Sequence, residues 1–97
     1  MAIRLDLNNR EFQRQWFSLA KEERMAALQS CVKLGGLDWD ALYRDKGFRW
    51  ETIQSRRAAD GTRLDSIRIA KKRRAVVRRS GEFLEFPTLH PDHDSAY

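Results

Sequence analysis

A single cysteine, Cys31, occurs among the 97 residues. One thiol cannot form an internal disulfide, and this points to a reducing compartment, the cytoplasm. No apolar h-region opens the chain, and its longest apolar runs fall far short of the roughly 20 residues that span a bilayer. Neither export nor a transmembrane segment is therefore expected, and no membrane partner is predicted. Internal repeats, low-complexity tracts and linkers are also missing, so residues 1–97 are read as one domain. Histidine is scarce, with only His90 and His93. Their i,i+3 spacing beside Asp92 and Asp94 has no cysteine and no third fixed ligand to complete it, so neither a metal nor another cofactor is predicted. Finally, no lysine or arginine follows Arg79; Ser80 to Tyr97 carries four acids and no base.

What is present is cationic and concentrated. Between Arg56 and Arg79 stand ten Lys/Arg against two acids, a local net of +8 in a chain whose total is +5. A polyanion-binding surface beside a small set of proton-transfer groups follows from that distribution. The basic run lies in strand-like sequence rather than on an amphipathic helix, which turns the reading from lipid headgroups toward nucleic acid or an acidic protein. Three Trp and five Phe in a chain that is 41% hydrophobic provide anchors for one modest core.

The order of elements is legible from periodicity. Ile3, Leu5 and Leu7 alternate with Arg4 and Asp6 as an edge strand. Asn8 and Glu11 have the spacing of a capping box, followed by the helical stripe Phe12, Trp16, Leu19. A second helix is predicted to start between Ser18 and Glu22, bury Met25, Leu28 and Val32, and stop at Gly35-Gly36. Cys31 beside that stripe reads as a packed small hydrophobe rather than a nucleophile. Leu37 to Lys46 is irregular or a short helix, with Trp39 and Leu42 closing the core. Phe48 to Ser55 is a predicted strand, and Ala59-Asp60-Gly61 turns it into Arg63–Ile69 as a hairpin. Lys71 to Arg73 turns into Arg74–Arg78, and Ser80-Gly81 turns that strand into Glu82 to Leu89. The fold class expected is α+β: a twisted antiparallel sheet, the N-terminal strand added at one side, and a helical hairpin packed on one face. Arg68 and Arg74 belong to the face left open.

The element order, together with Arg68-Ile-Ala-Lys-Lys-Arg-Arg74-Ala-Val-Val, Ser80-Gly81-Glu-Phe-Leu-Glu-Phe and Asp92-His93-Asp-Ser-Ala-Tyr97, resembles the RelE/ParE superfamily of bacterial toxin–antitoxin toxins. The resemblance implies the RelE-like fold. It matches Arg68 and Arg74 to strand arginines of the family, His93 to the histidine of its ending and Tyr97 to the tyrosine four positions later. Asp94 stands where many members have arginine, and Asp92 where a small residue is usual. Arg56 and Arg57 are the nearest counterparts of the lysine pair that some ribonuclease members carry. On the RelE-like side the resemblance implies an endoribonuclease that cuts messenger RNA engaged by the ribosome, inhibits translation, and is restrained by a cognate antitoxin protein, with an acidic or amphipathic segment.

The residue types suit that chemistry. Transesterification through the ribose 2′-OH needs a proton acceptor, cations on the phosphoryl oxygens and a donor to the leaving 5′ oxygen. Arg68 and Arg74 fit the phosphoryl oxygens, since a guanidinium stays charged and bonds bidentately. His93 titrates near neutrality and Tyr97 can stack or share in proton transfer; Glu51 is an outside candidate for the base. Lys71, Lys72, Arg73, Arg78 and Arg79 are assigned to flanking phosphates or ribosomal RNA. His90 is left out of the catalytic set. Two alternatives remain: a ParE-like toxin that poisons DNA gyrase without nuclease chemistry, and a basic RNA-binding or transcription-regulating module without catalysis; for His93 and Tyr97 a purely structural role, tying the tail to the sheet, stands beside the catalytic one.

Overall fold

A computed structural model of the chain describes residues 2–58 and 60–91, with the side chains of Ser55, Arg56, His90 and Pro91 outside the description. The fold is α+β. Strand β1 (Arg4–Asp6) leads into helices α1 (Arg10–Phe17), α2 (Lys21–Gly35) and α3 (Trp39–Arg44), and four strands follow, β2 (Glu51–Arg57), β3 (Arg63–Ala70), β4 (Arg73–Ser80) and β5 (Phe83–Pro91). The sheet order is β1-β5-β4-β3-β2. The meander β2 to β5 is antiparallel throughout, as its tight turns require, whereas β1 lies parallel to β5, pairing Leu5 with Leu84. The sheet is therefore mixed. Gly61 and Gly81, at φ +85° and +61°, supply the left-handed residues of two of the hairpin turns.

The helices cover one sheet face. Phe12 and Phe86 meet at 5.3 Å between ring centroids, with Ile3, Leu34, Leu42, Ile67, Ala75, Val77 and Leu84 filling the same core. Gln15 anchors α1 by accepting from Leu89 N at 2.7 Å. On the other face a smaller cluster joins Ile53, Leu64 and Val76. Opposite Val77, β5 gains one residue, since Val76 pairs with Thr88 but Arg78 with Glu85. This bulge lets both Phe86 and Leu89 enter the main core although they are three apart.

Two sequence expectations change at the helices. The cap of α1 is Asn9, whose side chain accepts from Phe12 N at 2.9 Å, so the cap lies one residue later than expected, the Asn8–Glu11 capping box does not form, and Glu11 pairs with Arg14. More consequentially, α2 does not bury Met25, Leu28 and Val32, which are 49%, 48% and 72% exposed. It turns Ala27, Cys31 and Leu34 inward, an i,i+4,i+7 face on the other side of the helix. Small side chains let the helix lie close on β3, and Ser30 Oγ donates to Ile69 O at 2.6 Å from that close approach. Cys31 is indeed a packed hydrophobe, its thiol pushed up to about 11 by burial. Phe48, expected to begin a strand, is buried in the turn before β2.

Candidate functional site on the uncovered sheet face

Strands β3 and β4 place Arg68 and Arg74 directly opposite one another. On the same register line Arg74 pairs with His90 of β5 through the backbone. Side chains two apart share a face, so Ser66 stands next to Arg68, and Glu51, opposite Ser66, completes the group from β2. Arg68 is held by its backbone N–H, which donates to Phe48 O at 2.7 Å. That bond pins the segment leading into β2 across the end of β3.

Arg74 is only 3% exposed. One of its terminal nitrogens donates to Ser66 Oγ at 2.8 Å and to Arg49 O at 3.0 Å, and the same nitrogen lies 3.8 Å from a carboxylate oxygen of Glu51. Arg49 presents that carbonyl from a left-handed backbone, φ +51°, an uncommon conformation for a residue with a side chain. Its own guanidinium lies 3.8 Å from the other oxygen of Glu51. Arg74 Nε is buried and has no hydrogen-bond acceptor among the described residues. Guanidinium groups opposite one another in a sheet repel, and the half-exposed Glu51 carboxylate stands between Arg49 and Arg74. The arrangement suits an anion.

The five flanking cations divide. Arg73 is tied to Glu23 of α2 at 2.5 Å, and the guanidinium holds that carboxyl below its ordinary value. Arg78 binds Glu85 at 2.6 Å and Asp60 at 3.1 Å, with its own charge stabilised first by Glu85. Arg79 lies 4.1 Å from the Trp39 ring centroid and donates to Tyr43 Oη at 2.9 Å. Three of the five thus have intramolecular work, whereas Lys71 and Lys72 are exposed in the β3–β4 turn. Backbone alternation separates them further, since Arg73 and Arg79 belong to the helix-covered side of β4 and Arg78 to the side of Arg74. His93 and Tyr97, with Asp92 and Asp94, lie outside the described residues. Among the described residues, no three His, Cys, Asp or Glu side chains cluster to hold a metal ion, and no helix is long and apolar enough to cross a membrane.

Sequence reasoning reached Arg68, Arg74 and, at lower rank, Glu51. It missed Arg49 and Ser66. Ser66 carried a usable signal, its alternation with Arg68, but nothing in the sequence marks the left-handed Arg49. Comparison of the chain with protein-family models, with curated proteins and with solved structures gives no match.

Proposed function

We propose that this protein is the toxin of a RelE-like toxin–antitoxin pair, an endoribonuclease that cuts ribosome-engaged messenger RNA without a metal. The observation that carries the reading is the cross-strand pair Arg68–Arg74 on the face opposite the helices, with the Glu51 carboxylate 3.8 Å from Arg74. The order strand, helices, four-stranded meander supports it as well, being the order that the family resemblance rests on. In the proposed reaction Glu51 or His93 accepts the 2′-OH proton, and the freed oxygen attacks the adjacent phosphorus. A 2′,3′-cyclic phosphate forms, and the 5′ oxygen leaves with a proton from His93 or Tyr97. Arg68 and Arg74 bind the charge that gathers on the phosphoryl oxygens.

Expression of the chain alone tests this. Translation stops within minutes and transcripts acquire new 5′ ends; Glu51→Gln and His93→Ala each slow cleavage by about 100-fold, the usual worth of a proton-transfer group. The burial of Arg74 favours a second reading, a ParE-like gyrase poison in which this arginine is purely structural. Damage to DNA with intact transcripts would establish that reading and sink the first.

A further inference from the structure

Helix α2 turns Ala27, Cys31 and Leu34 to the sheet and leaves its other apolar stripe outside. Met25, Leu28 and Val32, at i, i+3 and i+7, form that stripe and are 49%, 48% and 72% exposed. Phe17, 71% exposed, stands at the corner where α1 passes into α2. Arg24 closes that corner by donating to Phe17 O at 3.3 Å and to Leu19 O at 2.9 Å. Contiguous apolar surface with a polar rim marks an interaction site. Here the rim indicates the partner. Glu22, Gln29 and Lys33 recur at i, i+7 and i+11 and line one flank of the stripe, with the acid toward the N-terminal end and the base toward the C-terminal end. Lys21 lies on the stripe one turn before Met25, and Gly35 one turn after Val32, with open space where a side chain would stand. Lys21, Glu22 and Gln29 are exposed and make no side-chain hydrogen bond or ion pair among the described residues. Lys33 holds Asp45 at 3.0 Å while its side chain stays 56% exposed.

Acid and base share this flank, which suits neither a nucleic acid strand nor a uniformly acidic segment. Its complement is the same series of groups in reverse order, and a second α2 running antiparallel presents that series. We propose that the exposed stripe of α2 is the contact of a two-fold symmetric dimer of this chain, centred near Leu28. Leu28 meets Leu28 of the second copy at the axis, and Met25 packs against Val32 of the second copy on either side. A two-fold axis between antiparallel helices brings like flanks together. Glu22 therefore reaches Lys33 of the second copy, and the two Gln29 carboxamides, each a donor and an acceptor, meet near the axis. Lys21 arrives beside Gly35 of the second copy, at the helix C-terminus, whose partial negative charge favours a cation. Met25 and Val32 are only ~10 Å apart along the helix, so the interface is small. It falls below the roughly 800 Å² per partner of stable complexes, and a dissociation constant of about 10–100 µM is expected. Such a dimer joins the helical sides of two copies and leaves the sheet face that carries Arg68 and Arg74 free on each; it does not rest on what that face does.

Sedimentation equilibrium of the purified full chain, from about 1 to 500 µM, reads the dimer through its concentration dependence. Leu28→Glu sets like charges across the axis and Val32→Lys sets a charge against Met25. Each is expected to keep the chain monomeric over that range, while the denaturant midpoint of the dilute chain stays that of the parent. Glu22→Lys and Lys33→Glu each create two like-charged pairs in a homodimer and weaken self-association by about 10-fold. An equimolar mixture of these two variants restores both opposite pairs, and association returns to within about 3-fold of the parent. Lys33→Glu also loses Asp45, so Lys21→Glu, which breaks no contact within the chain, serves as a second charge probe and weakens the dimer by about 3-fold. A chain that is monomeric at every concentration overturns the proposal. So does a dimer that survives Leu28→Glu, since its interface then lies elsewhere, and so does a mixture that associates no better than its components, since the helices are then not antiparallel. A monomeric chain that binds a synthetic amphipathic helix with an acidic rim, and loses it on Leu28→Glu, assigns the stripe to a partner protein and overturns the dimer as well.

Discussion

At the scale of single residues, burial has changed what several side chains can do. Arg74 was expected on an open face, yet its guanidinium bonds Ser66 Oγ and Arg49 O in a nearly water-free position. Truncating it leaves a buried hydroxyl and carbonyl without their charged donor, so Arg74→Ala is expected to cost about 2–3 kcal/mol in urea unfolding as well as activity. Arg74→Lys retains the charge but not the fork, and should recover stability in part without recovering the proposed cleavage. Cys31 gives a prediction in pH. Its folded thiol is raised to about 11, above the unfolded value, so its contribution is complete below pH ~8.5 and disappears as pH rises through about 11. Unfolding free energy should fall across that window more steeply in the parent than in Cys31→Ala. A thiol reagent at pH 7.5 should label the parent only after denaturant is added.

At the scale of elements, α2 is where sequence and structure part. Met25, Leu28 and Val32 make an apolar stripe at helical spacing, but the helix buries Ala27, Cys31 and Leu34. A stripe of large side chains shows that a helix can be amphipathic; it does not show which side the sheet will accept. Packing on β3, sealed by the Ser30 bond to Ile69 O, turns inward the face that carries two small side chains, Ala27 and Cys31, with Leu34 at its end. Leu34→Ala is therefore expected to cost about 2–5 kcal/mol, and Val32→Lys within about 0.5 kcal/mol of nothing, both read from denaturant midpoints. Comparable losses at the two positions would contradict the observed rotation of the helix. The ion pair of Glu23 with Arg73 ties the same helix to the β3–β4 turn. Since the Glu23 carboxyl is held below its ordinary value, this tether is present above the unfolded carboxylate range and is lost as pH falls through the lowered folded value.

For the whole molecule, the local net of +8 between Arg56 and Arg79 overstates the cation available to a ligand, because Glu23 and Glu85 lie outside that stretch and pair with arginines inside it. Arg73 is paired with Glu23 and Arg78 with Glu85 and Asp60, while the exposed Arg79 keeps its charge and rests on Trp39 and Tyr43. RNA affinity should accordingly respond more to Lys71→Ala with Lys72→Ala than to Arg78→Ala, measured by salt-dependent titration. Arg78→Ala should appear instead as about 1 kcal/mol of lost stability, because its partners join the β2–β3 turn to β5.

The sequence alone determined the elements and their order. Alternation in Ile3-Leu5-Leu7, the stop at Gly35-Gly36 and the turns at Gly61 and Gly81 are local, since each depends on φ/ψ preferences and side-chain period within a few residues. It also placed Arg68 and Arg74 on neighbouring strands, because a short turn between them leaves few registers to choose from. Tertiary structure decided the rest: the parallel entry of β1 beside β5, the inward face of α2 and the burial of Arg74. Each of these is a contact between segments far apart in the chain. No local preference encodes such a contact; it is settled only when the whole core is packed at once and every buried polar group must find its partner.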